Sequence, residues 1–525
     1  MWHVNNEYGC HVSRDYSDNA RDAYRIWLAE KYSTVEALNE AWNTAFWSQL
    51  YQSFDEILPP SKAPAFQNPG SLLDFNRFSS DALLSLFTME RDIIRASGAT
   101  QPITTNFMGS ASGADYWKWA KEVDLVSDDS YPDPNDPEMF RYSGWGFDLM
   151  RSLKPDTPWL LMEQASNAVQ WRHSNAPKAP GEMAALSMQA VGRGADGVLF
   201  FQWRQSRAGA EKFHSAMLPH AGTATRTWRE VSHLGADLAA LPPLTGGSGA
   251  HVALVFDWEN LWALKGGPFL TALDYNTLVQ RWYVALHRLH VAVDIVPPTA
   301  DLNAYRVVVA PQLYLLTDAG ATNLSAFVEG GGHLFVSAFT DLVDETDTFR
   351  AGGYLQGLGA TLGIRMEEYT ALVPPGADAP GQSAATVSLP GTLIRGEYLA
   401  EEIFAVEAEV LGEFVDGRLR GRPAFTMRDA GGDAGHAYYL ATIPDDDGMR
   451  DVMAHILGRA GIEPVLPGLS ERVEAVRRGD HVIITNYEST DVTISVSGTD
   501  AMTGDVLDTV VLAPFAWTIA HAPLV

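Results

Sequence analysis

Five short apolar runs, each closed by polar or aromatic residues, alternate with longer helical patterns up to about residue 235. This rhythm constrains the fold more than any other feature of the chain. The runs are Trp2 to Val4, Pro102 to Phe107, Val123 to Val126, Trp159 to Met162 and Val198 to Phe201. Strands separated by helices make β/α units, and five follow from this spacing. Between the first two runs, Ala20, Ala23, Tyr24, Trp27 and Leu28 recur at helical spacing, and Ser33 with Glu36 reads as a capping box opening a second helix through Leu38 and Trp42. The polar closures are Asn6 and Glu7, then Asn106, Ser127 to Tyr131, Glu163 with Gln164, and Gln202 to Arg204. A β/α barrel places its chemistry at such C-terminal strand ends. The expected fold class is therefore α/β, with a partial (β/α)8 TIM barrel of about five units over residues 1–240.

The segment Leu241 to Gly249 reads as a linker. Beyond it, strand-like runs at Val252 to Phe256, Val307 to Ala310 and His333 to Ser337 alternate with helices near Leu278 to Arg288 and Ala319 to Val328. They predict a smaller α/β domain with a parallel sheet over residues 250–464. Its Pro/Gly/Ala-rich stretch from Pro374 to Gly391 reads as a long surface loop. Over residues 465–525, runs at Arg472 to Val476, His481 to Asn486, Val492 to Val496 and Val506 to Val511 predict a small antiparallel β domain. No internal repeat at solenoid periods is present.

A chain of 525 residues is too long for one ordinary core. Its hydrophobic fraction of 46% and charged fraction of 19% are those of a globular protein. The formal net charge of -28 repels phosphate backbones and anionic membranes, so neither nucleic acid nor membrane is an expected partner. The lone cysteine, Cys10, excludes an intrachain disulfide and a Cys-rich zinc site. It reads as a small buried hydrophobe. With no basic n-region, no apolar h-region and no run of 18 apolar residues, the expected location is cytoplasmic.

Glu7 follows Asn6 at the end of the first run, and Glu163 ends the run Trp159 to Met162. Two carboxylates on one barrel rim are what glycoside hydrolysis by double displacement needs, with the pair roughly 5 Å apart. One must keep a proton and the other must stay ionised. Spacing alone leaves open which Glu takes which role. A glutamate after a strand is, taken singly, more often a solvated loop residue. A second Asn-Glu pair, Asn39-Glu40, lies inside a helical pattern and reads as ordinary surface.

The stretches HVNNEYGCHVSRDYSD, AWNTAFWSQLY, TTNFM, DDSYPDP, PWLLMEQAS, QWR and VLFFQWRQSRAGAEKFHSAM occur in this order. Together they resemble the glycoside hydrolase family 42 β-galactosidases, and the block from Phe200 to Met217 is hard to obtain by chance. The resemblance extends to that family's trimerisation domain and its C-terminal β domain. It implies a retaining β-galactosidase that releases terminal non-reducing β-D-galactose, working as a homotrimer on galactosides without a cofactor. It makes Glu7 the acid/base and Glu163 the nucleophile. Asn6 would bond the sugar hydroxyl next to the anomeric centre, and Trp171 would lie against an apolar sugar face. Glu211 and His214, three apart and so able to share a helical face, would hold galactose hydroxyls. Trp47 would line the site, within the chain or from another subunit. The plainer accounts are core packing for Trp171, and a solvated helix start with an indifferent histidine for Glu211 and His214.

Two departures from the family pattern stand out. Where many members carry a Cys-x-Cys-x-x-Cys zinc run, this chain has Asp15, Ser17 and Ala20, so no metal is expected. The acid/base belongs at the end of the fourth barrel strand, yet Glu7 lies near residue 1. Three β/α units, on the order of a hundred residues at roughly 30 per unit, are expected before it, including an arginine of the sugar site. A truncated or mis-started reading frame is the expected reason, and a split enzyme completed by a second polypeptide is the alternative. The rival functions are an α-L-arabinopyranosidase, whose sugar lacks only the exocyclic hydroxymethyl group, and an inactive truncated sugar-binding homologue. An amidotransferase-like role for the α/β domain lacks a cysteine nucleophile.

Overall fold

The computed structural model describes residues 1–267, 269–378, 381–382, 384–431 and 435–522. The first region is an arc of parallel strands backed by helices. Trp2–His3 pairs with Ile103–Thr104, and the same chain segment continues as Asn106–Phe107. From there the order runs through Ser127–Asp129 and Trp159–Glu163 to Ala195–Val198. The long helix Pro69–Ala96, capped by Asn68, follows the short helices Asp18–Tyr32 and Val35–Ala41 on the outside of the arc. Tyr116–Glu122, Met139–Leu153, Glu182–Gly192 and Arg226–Ala240 complete the β/α alternation.

Two strands are displaced from their expected positions. The third lies at Ser127–Asp129, not at Val123 to Val126, because Val123 caps the preceding helix and Val126 is buried in the turn that follows. Ser127 enters the ladder through side-chain bonds: its Oγ donates to the Thr105 carbonyl at 3.0 Å and lies 3.1 Å from Thr104 Oγ1. The last begins at Ala195, where Gly197 admits the Leu160 side chain; a Cβ there would stand 2.8 Å from it. The expected run Val198 to Phe201 continues the ladder irregularly, with Leu199 N donating to the Leu161 carbonyl at 2.9 Å and Phe201 N to the Gln164 carbonyl at 3.1 Å. The capping box is also corrected. Ser33 ends the first helix at φ 64°, and Thr34 Oγ1 caps the second by accepting from Ala37 N at 3.2 Å.

The next region carries a seven-stranded sheet. Five strands are parallel, in the order His436–Leu440, His333–Ser337, Val307–Ala310, Val252–Val255, Val293–Val296. Pro423–Asp429 and Glu409–Glu413 extend it antiparallel. The central Val-rich strands are buried on both faces, as parallel sheets require. A second, antiparallel sheet is built on Thr392–Ala405. The stretch expected as a loop from Pro374 to Gly391 supplies one of its strands, Ala385–Leu389, since alternating Ala385, Val387 and Leu389 bury one face. Residues 379, 380 and 383 of that stretch lie outside the described ones. The last region is a five-stranded antiparallel sheet in which Trp517–His521, unmarked in the sequence reading, pairs with His481–Asn486.

A buried polar junction ties the three regions together. Arg193 on the barrel donates to Asp148 Oδ2 at 3.2 Å and to Glu474 Oε1 of the last sheet at 2.9 Å. Tyr283 and His287 of the middle region bond Asp148 and Glu474 at 2.5 and 2.6 Å. No described helix is long and apolar enough to cross a membrane.

Candidate active site

The C-terminal ends of the parallel strands converge on three carboxyl groups. One carboxylate oxygen from each of Glu7, Asp129 and Glu163 lies within 4.8 Å of the other two. Glu7 reaches this point by a sharp turn: Val4 N is still in the ladder, bonded to the Thr104 carbonyl at 2.8 Å, while Asn5 and Glu7 have φ of 54° and 46°. The turn is held by Asn106 at the next strand's end, whose Oδ1 accepts from Glu7 N at 2.8 Å. Asn106 Nδ2 donates to Asn6 Oδ1 at 3.0 Å and to Asp129 Oδ2 at 2.5 Å.

Glu163 closes the strand Trp159–Glu163 opposite Asp129. Its Oε2 accepts from the Tyr131 hydroxyl at 2.6 Å. Burial raises the Glu163 carboxyl above the ordinary range; the Tyr131 hydrogen bond opposes that rise, while the negative charges of Glu7 and Glu211 add to it. The neighbouring Asp128 is buried, accepts from Gly109 N at 2.8 Å, and is pushed up to about 8 by desolvation.

A wall of rings stands beside Glu163. Trp171, 52% exposed, meets Tyr131 edge-on at 4.9 Å and lies 5.2 Å from the His214 ring. His214 is fully buried between Trp171 and Phe201, and its Nδ1 donates to the Ser215 carbonyl at 2.9 Å. Its Nε2 is therefore the unprotonated nitrogen of the neutral ring, and it has no hydrogen-bond partner among the described residues. Burial lowers the His214 pKa and keeps it neutral. Glu211 is exposed, and it shares with His214 a turn rather than the expected helical face: His214 N donates to the Glu211 carbonyl at 3.0 Å.

Trp47 stands apart. It is 59% exposed, stacks on Phe46 at 4.9 Å and has φ 54°. Among the described residues no hydrogen bond or ring contact joins it to Glu7, Glu163 or Trp171. Cys10 is exposed rather than buried, because Cys10 N closes the Glu7 turn by donating to the Glu7 carbonyl at 3.0 Å. Glu7, Cys10 and His11 also bring one ligand atom each within 4.8 Å of one another. Asp15 and Ser17 are used locally: Asp15 accepts from Ser17 N at 2.8 Å, and Ser17 caps the helix that contains Ala20.

Asn106, Asp129 and Tyr131 carry no role in the sequence reading, although Asn106 and Tyr131 are noted there as strand-closing residues. The signals for them are the polar closures themselves, Asn106 at the end of the run Pro102 to Phe107 and the polar run Ser127 to Tyr131 for the other two. Arg172 of the QWR motif, whose guanidinium donates to the Tyr131 carbonyl and stands 3.6 Å from Asp133, ties this loop to the site although its spacing marks no role for it.

The strand arc with its carboxyl rim and aromatic wall defines a barrel glycosidase. Residues 1–241 match the family model described as β-galactosidase of glycoside hydrolase family 42, and residues 250–463 match that of the β-galactosidase trimerisation domain. A β-galactosidase of Geobacillus is 42% identical over 514 residues, covering 94% of this chain and 73% of the relative. One from Arthrobacter is 40% identical, covering 96% and 72%. The crystal structure of a β-galactosidase from Bacillus circulans sp. alkalophilus superimposes with a TM-score of 0.92 at 35% identity, covering 99% of this chain and 78% of that one. The solved structure of a β-galactosidase from the haloarchaeon Halorubrum lacusprofundi gives 0.92 at 31%, covering 100% and 79%. The chain belongs to the glycoside hydrolase family 42 β-galactosidases, which are retaining glycosidases.

Proposed function

We propose that Glu163 is the nucleophile and Glu7 the acid/base of a double displacement on terminal β-D-galactosides. The supporting observation is the placement of their carboxylate oxygens within 4.8 Å of one another at two strand ends, the separation that direct attack on the anomeric carbon calls for. Glu163 attacks the anomeric carbon while Glu7 gives its proton to the departing oxygen. A covalent galactosyl ester forms, Glu7 then takes a proton from water, and that water releases β-galactose. Tyr131 favours the ionised form of Glu163 by donating to it. Trp171 offers an exposed ring to the apolar sugar face. His214 Nε2 accepts from a sugar hydroxyl, Glu211 accepts from another, and Asn6 holds the hydroxyl next to the anomeric centre.

The match to a trimerisation domain supports a homotrimer, in which the exposed Phe46–Trp47 pair would wall a neighbouring subunit's site. Competing p-nitrophenyl β-D-galactoside and α-L-arabinopyranoside tests the substrate. Preference for the galactoside is expected, and a clear preference for the pentoside overturns the assignment.

A further inference from the structure

We propose that Asp129 is a positioning residue that orients the acid/base side of the site through Asn106. The inference rests on the reading of Asn6 as the residue that holds the sugar hydroxyl next to the anomeric centre. Asn106 is almost fully buried, and its amide makes three bonds at once. Turned over, it would set its oxygen against Asp129 Oδ2 and Asn6 Oδ1, and its amino group against the Glu7 N–H. Asp129 and the Glu7 amide thus enforce one orientation from opposite ends. That orientation engages Asn6 Oδ1 as an acceptor and so fixes which end of the Asn6 amide is the nitrogen, which can donate to a sugar. Among the described hydrogen bonds Asn6 Nδ2 has no protein partner.

The chemistry of Asp129 fits an acceptor held neutral. Its Oδ1 is buried with no partner among the described residues, while Glu163 faces it across the ladder and Glu7 stands within the same 4.8 Å. A third negative charge here would repel both reacting carboxylates, and Asp128 next to it is buried as well. Burial first, then Glu163, Asp128 and Glu7, drive the Asp129 carboxyl up to about 10 against the lowering effect of Asn106. A neutral acid accepts from Asn106 through its carbonyl oxygen and leaves the Glu7–Glu163 pair to share one proton.

The test compares kcat/KM on p-nitrophenyl β-D-galactoside and its 2-deoxy analogue for D129V, D129N, N106A and N6A. Hydrogen bonds to the 2-hydroxyl strengthen in the transition state, so loss of orientation falls on the galactoside. D129V is expected to lose about 10²-fold on the galactoside and far less on the 2-deoxy sugar. D129N, which keeps a neutral acceptor, should recover most of that loss. N106A removes the middle of the relay and should lose the same selectivity, which keeps the test open if D129V does not fold. Equal loss on both sugars in D129V and N106A, or D129N as impaired as D129V, overturns the proposal. If N6A loses selectivity for the 2-hydroxyl while D129V and N106A keep it, the relay fails and the Asn6 reading stands. If N6A keeps it, the Asn6 reading fails and takes the relay with it.

Discussion

The Tyr131 hydroxyl donates to Glu163 Oε2 at 2.6 Å, and it is the one protein donor to that carboxylate among the described hydrogen bonds. The bond lowers the pKa of a carboxyl that burial, Glu7 and Glu211 raise. In Tyr131→Phe that lowering effect is gone, so Glu163 takes up its proton at a higher pH. The acidic limb of the kcat/KM profile should move to higher pH, with a loss of roughly 10²-fold at the optimum. An unmoved limb would mean that Tyr131 only packs against Trp171.

The two carboxylates are separable by the stereochemistry of rescue. With Glu163→Gly, azide can occupy the space left on the face opposite the leaving group, so rescue should give the α-galactosyl azide. With Glu7→Ala, the galactosyl ester still forms from substrates with good leaving groups, and azide should then give the β-galactosyl azide. Loss in Glu7→Ala should be smallest on those substrates, which need little proton donation. NMR of the two products checks both roles, and the opposite anomers would exchange them.

Glu7 and Glu163 are visible in the sequence because each ends an apolar strand run, and a barrel puts such positions on one rim. Asn106 and Asp129 stand among the polar strand closures as well, but their role does not show there, because it depends on register. Asp129 matters because it faces Glu163 on the next strand and lies within reach of Asn106 on the previous one. The strand that carries Asp129 reads Ser-Asp-Asp, a loop by composition, and is a strand only because Thr104, Thr105 and Gly109 satisfy its side chains. Outside the barrel, Ala385–Leu389 is hidden in the same way, inside a Pro/Gly-rich stretch whose period-two pattern is only five residues long.

His214 separates packing from recognition. In His214→Phe the ring contacts to Trp171, Tyr131 and Phe201 can persist, but the Nε2 acceptor, which has no partner among the described residues, is lost. Leaving a sugar hydroxyl unpaired in a closed site costs about 1–3 kcal/mol, roughly a ten- to hundredfold drop in kcat/KM. Thermal stability should change little. A variant with normal kinetics would remove His214 from the sugar site.

The junction of the three regions should fail before the sheets do. Arg193 and Glu474 pair at 2.9 Å with side chains 5% and 4% exposed, and Glu474 also accepts from Gln189 and His287. Glu474→Leu removes one of the two carboxylates that pair with the buried Arg193 guanidinium and leaves Asp148 alone to balance it, a loss of about 3 kcal/mol. The arginine and histidine around Glu474 outweigh its burial and hold its pKa down to about 2. A depressed carboxylate contributes stability above its unfolded value of about 4.3, and the contribution is lost as pH falls through the folded value. His287, whose pKa burial lowers, adds a loss that begins below its ordinary value. The wild-type melting temperature should therefore decline from about pH 6.5 downward and more steeply below about pH 4, whereas Glu474→Leu should start lower and lack the steeper fall. Parallel melting curves for the two proteins across that range would show that the pair does not hold the regions together.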